Sequence, residues 1–150
     1  LFFLIVIAMA PVAFIGFEDL LPQGTIAARG ENSKNEAERE RLDLAFKGQT
    51  AIPDSVFEMK ELKVLRLTGN KIEALSSSVK NPQELRELNL FDNALSSLPP
   101  EFCELPKLEK LTLSNNDLRD LPDCFSRLGN LEYLSLFAND LGKFPVQLCD

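Results

Sequence analysis

The sequence predicts an α/β solenoid, in which short parallel strands line a concave face and extended or 3-10 segments return over the convex face. Three observations lead there. Leu62, Leu85, Leu108 and Leu131 recur every 23 residues. Each opens the same phrase, LxxLxLxxNxΦxxΦ with Φ apolar, so that asparagines fall at 70, 93, 116 and 139. Inside the phrase the leucines alternate, as they do in a strand with one buried face. One such unit cannot bury its apolar side alone and has to stack on neighbours that repeat it.

In chain order, residues 1–17 (LFFLIVIAMAPVAFIGF) carry no charged side chain. The segment reads as a signal or membrane anchor, although it is slightly short for a full span. As a secretory signal it offers Ala8-Met9-Ala10, but Pro11 and the lack of a basic lead-in count against cleavage there, and a cut after Ala13 has no better support. The alternative is a buried segment laid over the first repeat. Residues 18–38 form a polar linker or N-terminal flank, whose GENSKNEAERERL stretch has the composition of a solvated surface. Residues 39–150 form the array, about five repeats. Because the sequence stops part-way through a repeat, the array is expected to continue beyond Asp150.

Within each repeat, Leu65 and Leu67, Leu88 and Leu90, Leu111 and Leu113, and Leu134 and Leu136 are the inward strand residues. The turn that follows must not strand its backbone groups. A side-chain amide both donates and accepts, so Asn70, Asn93, Asn116 and Asn139 are expected to form a structural ladder bonding their own turn and the next repeat. Ile72, Leu75 and their equivalents return the chain to the core. Pro99, Pro122 and Pro145 fix an extended bend. Val79, Phe102, Phe125 and Leu148 then pack from the convex side. Ser76 replaces that proline in the second repeat and Pro82 replaces a leucine, which predicts a looser convex segment there.

The phrases LKVLRLTGNKIEAL, LRELNLFDNALSSLPPEF, LEKLTLSNNDLRDLPDCF and LEYLSLFANDLGKFPVQL resemble the leucine-rich repeat family. Their LPxxFxxL ending is similar to the short, 23-residue class found in intracellular scaffold, plant intracellular and bacterial repeat proteins. A weaker first repeat, RERLDLAFKGQTAIPDSVFEM, keeps Leu42, Leu44, Ile52, Pro53 and Val56 in phase but has Lys47 in the asparagine position and Arg39 in the leading leucine position. The resemblance implies scaffolding or recognition of a protein or peptide, without chemistry of its own.

Charge and composition exclude several other functions. A net charge of −7 argues against nucleic acid, since phosphate binding needs clustered cations. The chain contains no histidine, which removes Ser/His and Cys/His catalysis and imidazole metal sites. No enzyme activity, cofactor or metal site is expected. Cys103, Cys124 and Cys149 form no CxxC pair. Cys103 and Cys149 share a phase two repeats apart, about 9–10 Å by strand spacing, too far for a disulfide. Cys124 sits two positions earlier in its repeat and should align with neither. Three free thiols favour a reducing compartment. A cytoplasmic-facing array tethered by residues 1–17 reconciles them with the apolar start, the alternative being a secreted or cell-surface protein. The sequence contains no Asn-x-Ser/Thr sequon.

Alternation offers the third, fifth and seventh residues of each strand phrase to the concave surface. Most are small or charged, Thr112, Ser114 and Ser135 among them. Phe91, Tyr133 and Phe137 stand out as an aromatic patch edged by Glu87 and Lys110, and Arg66 shares the same face. Aromatic clusters with a polar rim are typical of protein contact sites. The alternative is that the rings fold down over the leucine row or the flanking segment. Arg66, Glu87, Phe91, Lys110, Tyr133 and Phe137 are therefore the candidate partner-binding residues of a non-enzymatic protein-interaction module. The alternatives to this leading reading are the recognition arm of a larger enzyme, such as a kinase or ubiquitin ligase, and a secreted or surface receptor-like protein.

Overall fold

Each repeat opens with three residues of strand. In a computed structural model, which describes residues 40–142 and the backbone of residues 4–6, the strands are β1 (Leu4–Val6), β2 (Arg41–Asp43), β3 (Val64–Arg66), β4 (Glu87–Asn89), β5 (Lys110–Thr112) and β6 (Tyr133–Ser135). They form one parallel sheet in the order β1-β6-β5-β4-β3-β2. The register places Leu42 beside Leu65, Leu65 beside Leu88, Leu88 beside Leu111 and Leu111 beside Leu134. From Leu65 onward this row is at most 2% exposed. The second leucine row, the convex apolar residues and this row fuse into one core, as stacking requires.

A turn of fixed shape leaves each strand. Phe46, Gly69, Asp92, Asn115 and Ala138 all have φ between 51° and 67°, one per repeat, just before the ladder position. The left-handed backbone swings the chain off the sheet while its N–H still bonds the next repeat. Phe46 N donates to Thr68 O (2.8 Å), Gly69 N to Phe91 O (2.9 Å), Asp92 N to Ser114 O (3.1 Å) and Asn115 N to Phe137 O (3.0 Å). Glycine takes this conformation freely and Asn or Asp tolerate it, whereas other residues lose about 1–2 kcal/mol.

The asparagines then secure the turn. Asn116 Nδ2 donates to Leu113 O and Leu90 O, both at 2.9 Å, and its Oδ1 accepts from Leu95 N at 3.0 Å. Asn93 and Asn139 repeat the pattern. Each therefore reaches back to the preceding repeat, not forward to the next as expected. This explains why the first repeat manages with Lys47: Asn70 accepts from Lys47 N and Gln49 N and donates to Leu44 O.

On the convex side the chain forms a short helix, α1 (Asp54–Phe57), and three 3-10 turns, Ser77–Lys80, Pro100–Glu104 and Phe125–Arg127. The second repeat is not looser there, contrary to the expectation. Ser76 takes φ −73°, ψ 163°, close to the −70°, 151° of Pro99, and Val79 is fully buried. Serine reaches the extended bend that proline would have imposed, and its Oγ bonds Asp54 Oδ1 at 2.7 Å. Phe102 and Phe125 stack with ring planes 4° apart, tying the third and fourth repeats together.

The cysteine expectation needs correction. Cys103 and Cys124 form a disulfide with Cα atoms 5.9 Å apart. Residues 23 apart still meet on the convex side, as the Phe102–Phe125 stack does. Cys103 lies inside its 3-10 turn, Pro100–Glu104, whereas Cys124 is the cap residue just ahead of the shorter turn Phe125–Arg127. Phase counting ignores that difference, and the two side chains come within bonding reach at a spacing of 21 residues. The expectation of three free thiols therefore fails for these two, and Cys149, like Pro145 and Leu148, lies outside the described residues.

β1 pairs with β6, Leu4 beside Tyr133 and Val6 beside Ser135. It thus adds to the last repeat, whereas the alternative reading of the apolar segment placed it over the first. The rest of residues 1–17 and the flank 18–38 lie outside the described residues. Among those described, no helix is long and apolar enough to cross a membrane.

Candidate interaction surface

Cross-strand register fixes what the concave face presents. Its first column runs Arg41, Val64, Glu87, Lys110, Tyr133, and its second runs Asp43, Arg66, Asn89, Thr112, Ser135. A third column, just past the strands, holds Ala45, Thr68, Phe91, Ser114 and Phe137.

Phe91 and Phe137 belong to repeats two apart, a separation of about 9.6 Å at ordinary strand spacing. Their ring centroids are only 6.2 Å apart, with planes inclined at 45°. The rings lean toward each other across the intervening repeat, whose residue in that column is Ser114. Ser114 is fully buried, and its Oγ lies 2.6 Å from Ser135 Oγ. Both phenylalanines remain half-buried, so each ring shows part of its surface. Asn89 Oδ1 accepts from Phe91 N at 2.9 Å and fixes the backbone beneath the first ring. Tyr133 is half-buried at the start of the strand that ends toward Phe137. Thr112, Ser114 and Ser135, expected to face outward, are buried: 8%, 0% and 3% exposed. Their short side chains lie below the longer aromatic neighbours, and the two serine hydroxyls satisfy each other.

Charges on this face are less neutralised than those at its border. Ion pairs join neighbouring repeats at the border and on the convex side: Lys63 to Glu40 (2.5 Å), Lys107 to Glu84 (2.6 Å), Lys80 to Glu104 (3.4 Å) and Arg86 to Glu109. Among the described residues none of these pairs uses Arg66, Glu87 or Lys110. Glu84 is held below its ordinary carboxylate value by the hydrogen bond from Lys107 and by the surrounding cations. Glu87 and Lys110 are register neighbours, Lys110 is exposed, and both line a shallow depression at the strand starts with Lys63 and Arg86. The predicted residues thus fall into two groups, the Phe91–Phe137 pair at the strand ends and Glu87, Lys110 and Tyr133 at the strand starts, with Arg66 between. Among the described residues, no cluster of His, Cys, Asp or Glu could hold a metal ion.

Sequence reasoning missed Phe46. It is the one large apolar side chain among the described residues that is openly exposed, at 67%. Its ring lies over Gly69: a Cβ on that glycine would stand 2.2 Å from Phe46 Cε1. The available signal was its position. Phe46 directly precedes the ladder position, which in later repeats is preceded by Gly69, Asp92, Asn115 and Ala138.

A leucine-rich repeat family profile matches residues 40–94 and 83–141. No curated protein matches the chain. Among solved structures it is similar to a leucine-rich repeat protein of Leptospira interrogans, with 32% identity over 76% of this chain and 35% of that one, TM-score 0.60. It is similar also to the leucine-rich repeat domain of APL1B, with 31% identity over 73% and 35% of the two chains, TM-score 0.67. A third similar structure is the plant peptide hormone receptor RGFR1 in complex with RGF2, with 37% identity over 61% and 15%, TM-score 0.56. The chain spans about a third of the first two structures (35% of each) and a smaller part (15%) of the receptor. It resembles protein-interaction modules, receptor repeat domains among them, and the fold is typically non-enzymatic. With stacked parallel strands, an asparagine ladder and two overlapping profile matches that span residues 40–141, the chain belongs to the leucine-rich repeat family.

Proposed function

We propose that the array is a non-enzymatic binding module whose concave face captures a protein or peptide partner through Arg66, Glu87, Phe91, Lys110, Tyr133 and Phe137. The observation that carries this reading is the Phe91–Phe137 ring pair, closed over a buried serine on a sheet face whose other side chains, Tyr133 apart, are mostly small, polar or charged. A preformed aromatic pair gives a partner apolar area at little cost in side-chain ordering. Arg66, Glu87 and Lys110, which take no part in the ion pairs found among the described residues, add orientation. The similarity to a plant peptide hormone receptor in complex with RGF2 supports a peptide as ligand class.

The test is Phe91→Ser with Phe137→Ser in the full chain, measured against a partner purified by affinity capture from the native source. Loss of two central aromatics should weaken capture at least about 30-fold, the equivalent of roughly 2 kcal/mol. Retained folding with unchanged affinity would refute the surface.

The Cys103–Cys124 bond favours one of the alternatives over the cytoplasmic reading. Structural disulfides persist in oxidising compartments, so we place the array on the secreted or cell-surface side. Residues 1–17 then act as a signal or anchor, a role that requires Leu4–Val6 to leave their pairing with β6, and residues 18–38 as the flank leading into the array. Detecting a mature N-terminus just after Ala10 or Ala13, or an intact apolar segment in a membrane fraction with the array outside, would support this. An array found only in the cytosol with reduced cysteines would overturn it.

A further inference from the structure

We infer that Phe46 is a second aromatic anchor on the rim that carries Phe91 and Phe137, and that this rim binds an amphipathic helix with apolar side chains at i and i+7 and basic side chains beside the second. The inference rests on the binding-module reading and extends it to an unassigned residue and a ligand shape.

Phe46 exposes two thirds of its surface (67%) and has a left-handed backbone with φ 56°. A bulky aromatic is costly in both respects, and the core does not need it there, since the turn forms with Gly69, Asp92, Asn115 or Ala138 in the other repeats. The ring has a prepared seat, because it lies over Gly69, where any side chain would collide with it. Gly69 N in turn donates to Phe91 O at 2.9 Å. The rim therefore reads, strand by strand, as the Phe46 ring over the second repeat, Phe91 on the third, and the Phe91–Phe137 pair meeting over the fourth.

Two apolar seats result, one over Gly69 and one over Ser114, two strands apart and so about 9.6 Å from each other. A helix repeats its face at i+7, about 10.5 Å along its axis. An extended strand offers same-face side chains at about 6.8 or 13.6 Å, and neither spacing matches the two seats. A polyproline II segment repeats at about 9.3 Å, but such segments dock between aromatic walls, and this is a single rim. Charge sets direction. Asp92, Asp117 and Asp140 are exposed on the turns around the Phe91–Phe137 seat, whereas Lys47 and Lys71 are exposed at the Phe46 end. A helix with Lys or Arg beside its second apolar residue complements that order.

The experiment selects peptides against the full chain from two displayed libraries, one on a helical frame and one proline-rich. The winners are then measured on the wild type and on Phe46→Ser, Phe46→Tyr and Phe137→Ser. Enriched helical sequences should carry apolar residues seven apart with Lys or Arg beside the second. Phe46→Ser should weaken them at least about tenfold, as should Phe137→Ser, while Phe46→Tyr stays within about threefold. Winners weakened by Phe137→Ser but indifferent to Phe46→Ser would overturn this inference and leave the binding module standing. Indifference to both substitutions would overturn the two readings together. Enrichment of proline-rich or unpatterned sequences would overturn the helical ligand. A thermal midpoint for Phe46→Ser at or above that of the wild type separates lost contact from lost folding.

Discussion

Reducing the Cys103–Cys124 bond is the most direct physical perturbation of this array. The cysteines are 21 residues apart in sequence, and closing a loop of that size restricts the unfolded chain enough to stabilise the fold by about 3 kcal/mol. Cys103 is 8% exposed and sits in the turn that carries Phe102, whose ring stacks on Phe125 next to Cys124. The bond thus locks the third repeat to the fourth, directly behind the Phe91–Phe137 surface. With a urea m-value of about 1–3 kcal/mol/M, losing it should move the unfolding midpoint by roughly 1–3 M. In a repeat array stability is a chain of nearest-neighbour couplings, so amide exchange should accelerate first between residues 100 and 130. The assay compares oxidised chain, reduced chain and the Cys103→Ala/Cys124→Ala double variant, with peptide mapping under non-reducing conditions. Reduced chain and double variant should coincide, and mapping should recover the Cys103–Cys124 peptide pair. A native chain that titrates three free thiols, or a bond that uses Cys149, would refute the reasoning.

Leu111→Ala removes a fully buried side chain at the centre of the leucine row and should cost about 2–5 kcal/mol through the cavity it leaves, measured by denaturant unfolding. Asn116→Ala leaves the buried Leu95 N–H without its acceptor, while Leu90 O and Leu113 O keep the amides of Asn93 and Asn139, and should cost about 1–3 kcal/mol with faster exchange at Leu95 N. Phe46→Gly should stabilise the array by about 1 kcal/mol, because glycine accepts the left-handed backbone that phenylalanine resists, and a lower thermal midpoint would contradict the assigned turn. Glu84 titrates below its ordinary value of 4.5 because Lys107 donates to it, so its contribution is present above pH 4.5 and fades as the pH falls through the lower folded value. Lys107→Ala should return the Glu84 titration, followed by NMR, toward the ordinary value.

The sheet was legible because alternation and period both derive from the strand. A 23-residue spacing places Leu65, Leu88, Leu111 and Leu134 in one row, and the register does the same. What was illegible lies where the backbone leaves that lattice. The disulfide depends on Cys103 lying inside one convex turn and Cys124 at the cap of the next, shorter one, which no spacing of leucines records. Ser76 behaves as the missing proline because φ and ψ, not residue type, define the bend. The backward reach of the asparagines, and hence the tolerance of Lys47, follows from the handing of each turn to the repeat before it. The aromatic pair was legible as a location, since Phe91 and Phe137 share a phase. Its closure over Ser114 was not, because two rings on alternate repeats can lean together or apart with the same sequence. Phe46 escaped notice because alternation ends at the strand, and its turn follows a different rule.

These differences separate what holds the array from what it can offer. Leucine rows, ladder amides and stacked convex rings all bond one repeat to the next, so each is constrained by both neighbours and leaves little room for a partner's demands. Apart from the buried Ser114–Ser135 pair, the side chains above the leucines carry less of that constraint: the strands pair whether position 91 is Phe or Ser, because Phe91 contributes its carbonyl to Gly69 N whatever its side chain. A rigid backbone beneath freely variable side chains is a favourable arrangement for recognition, since a docking partner need not order the surface that receives it. Phe46 is the extreme case. Its ring adds nothing that the fold requires, and its backbone is strained, which is the pattern expected of a residue placed for contact rather than for stability.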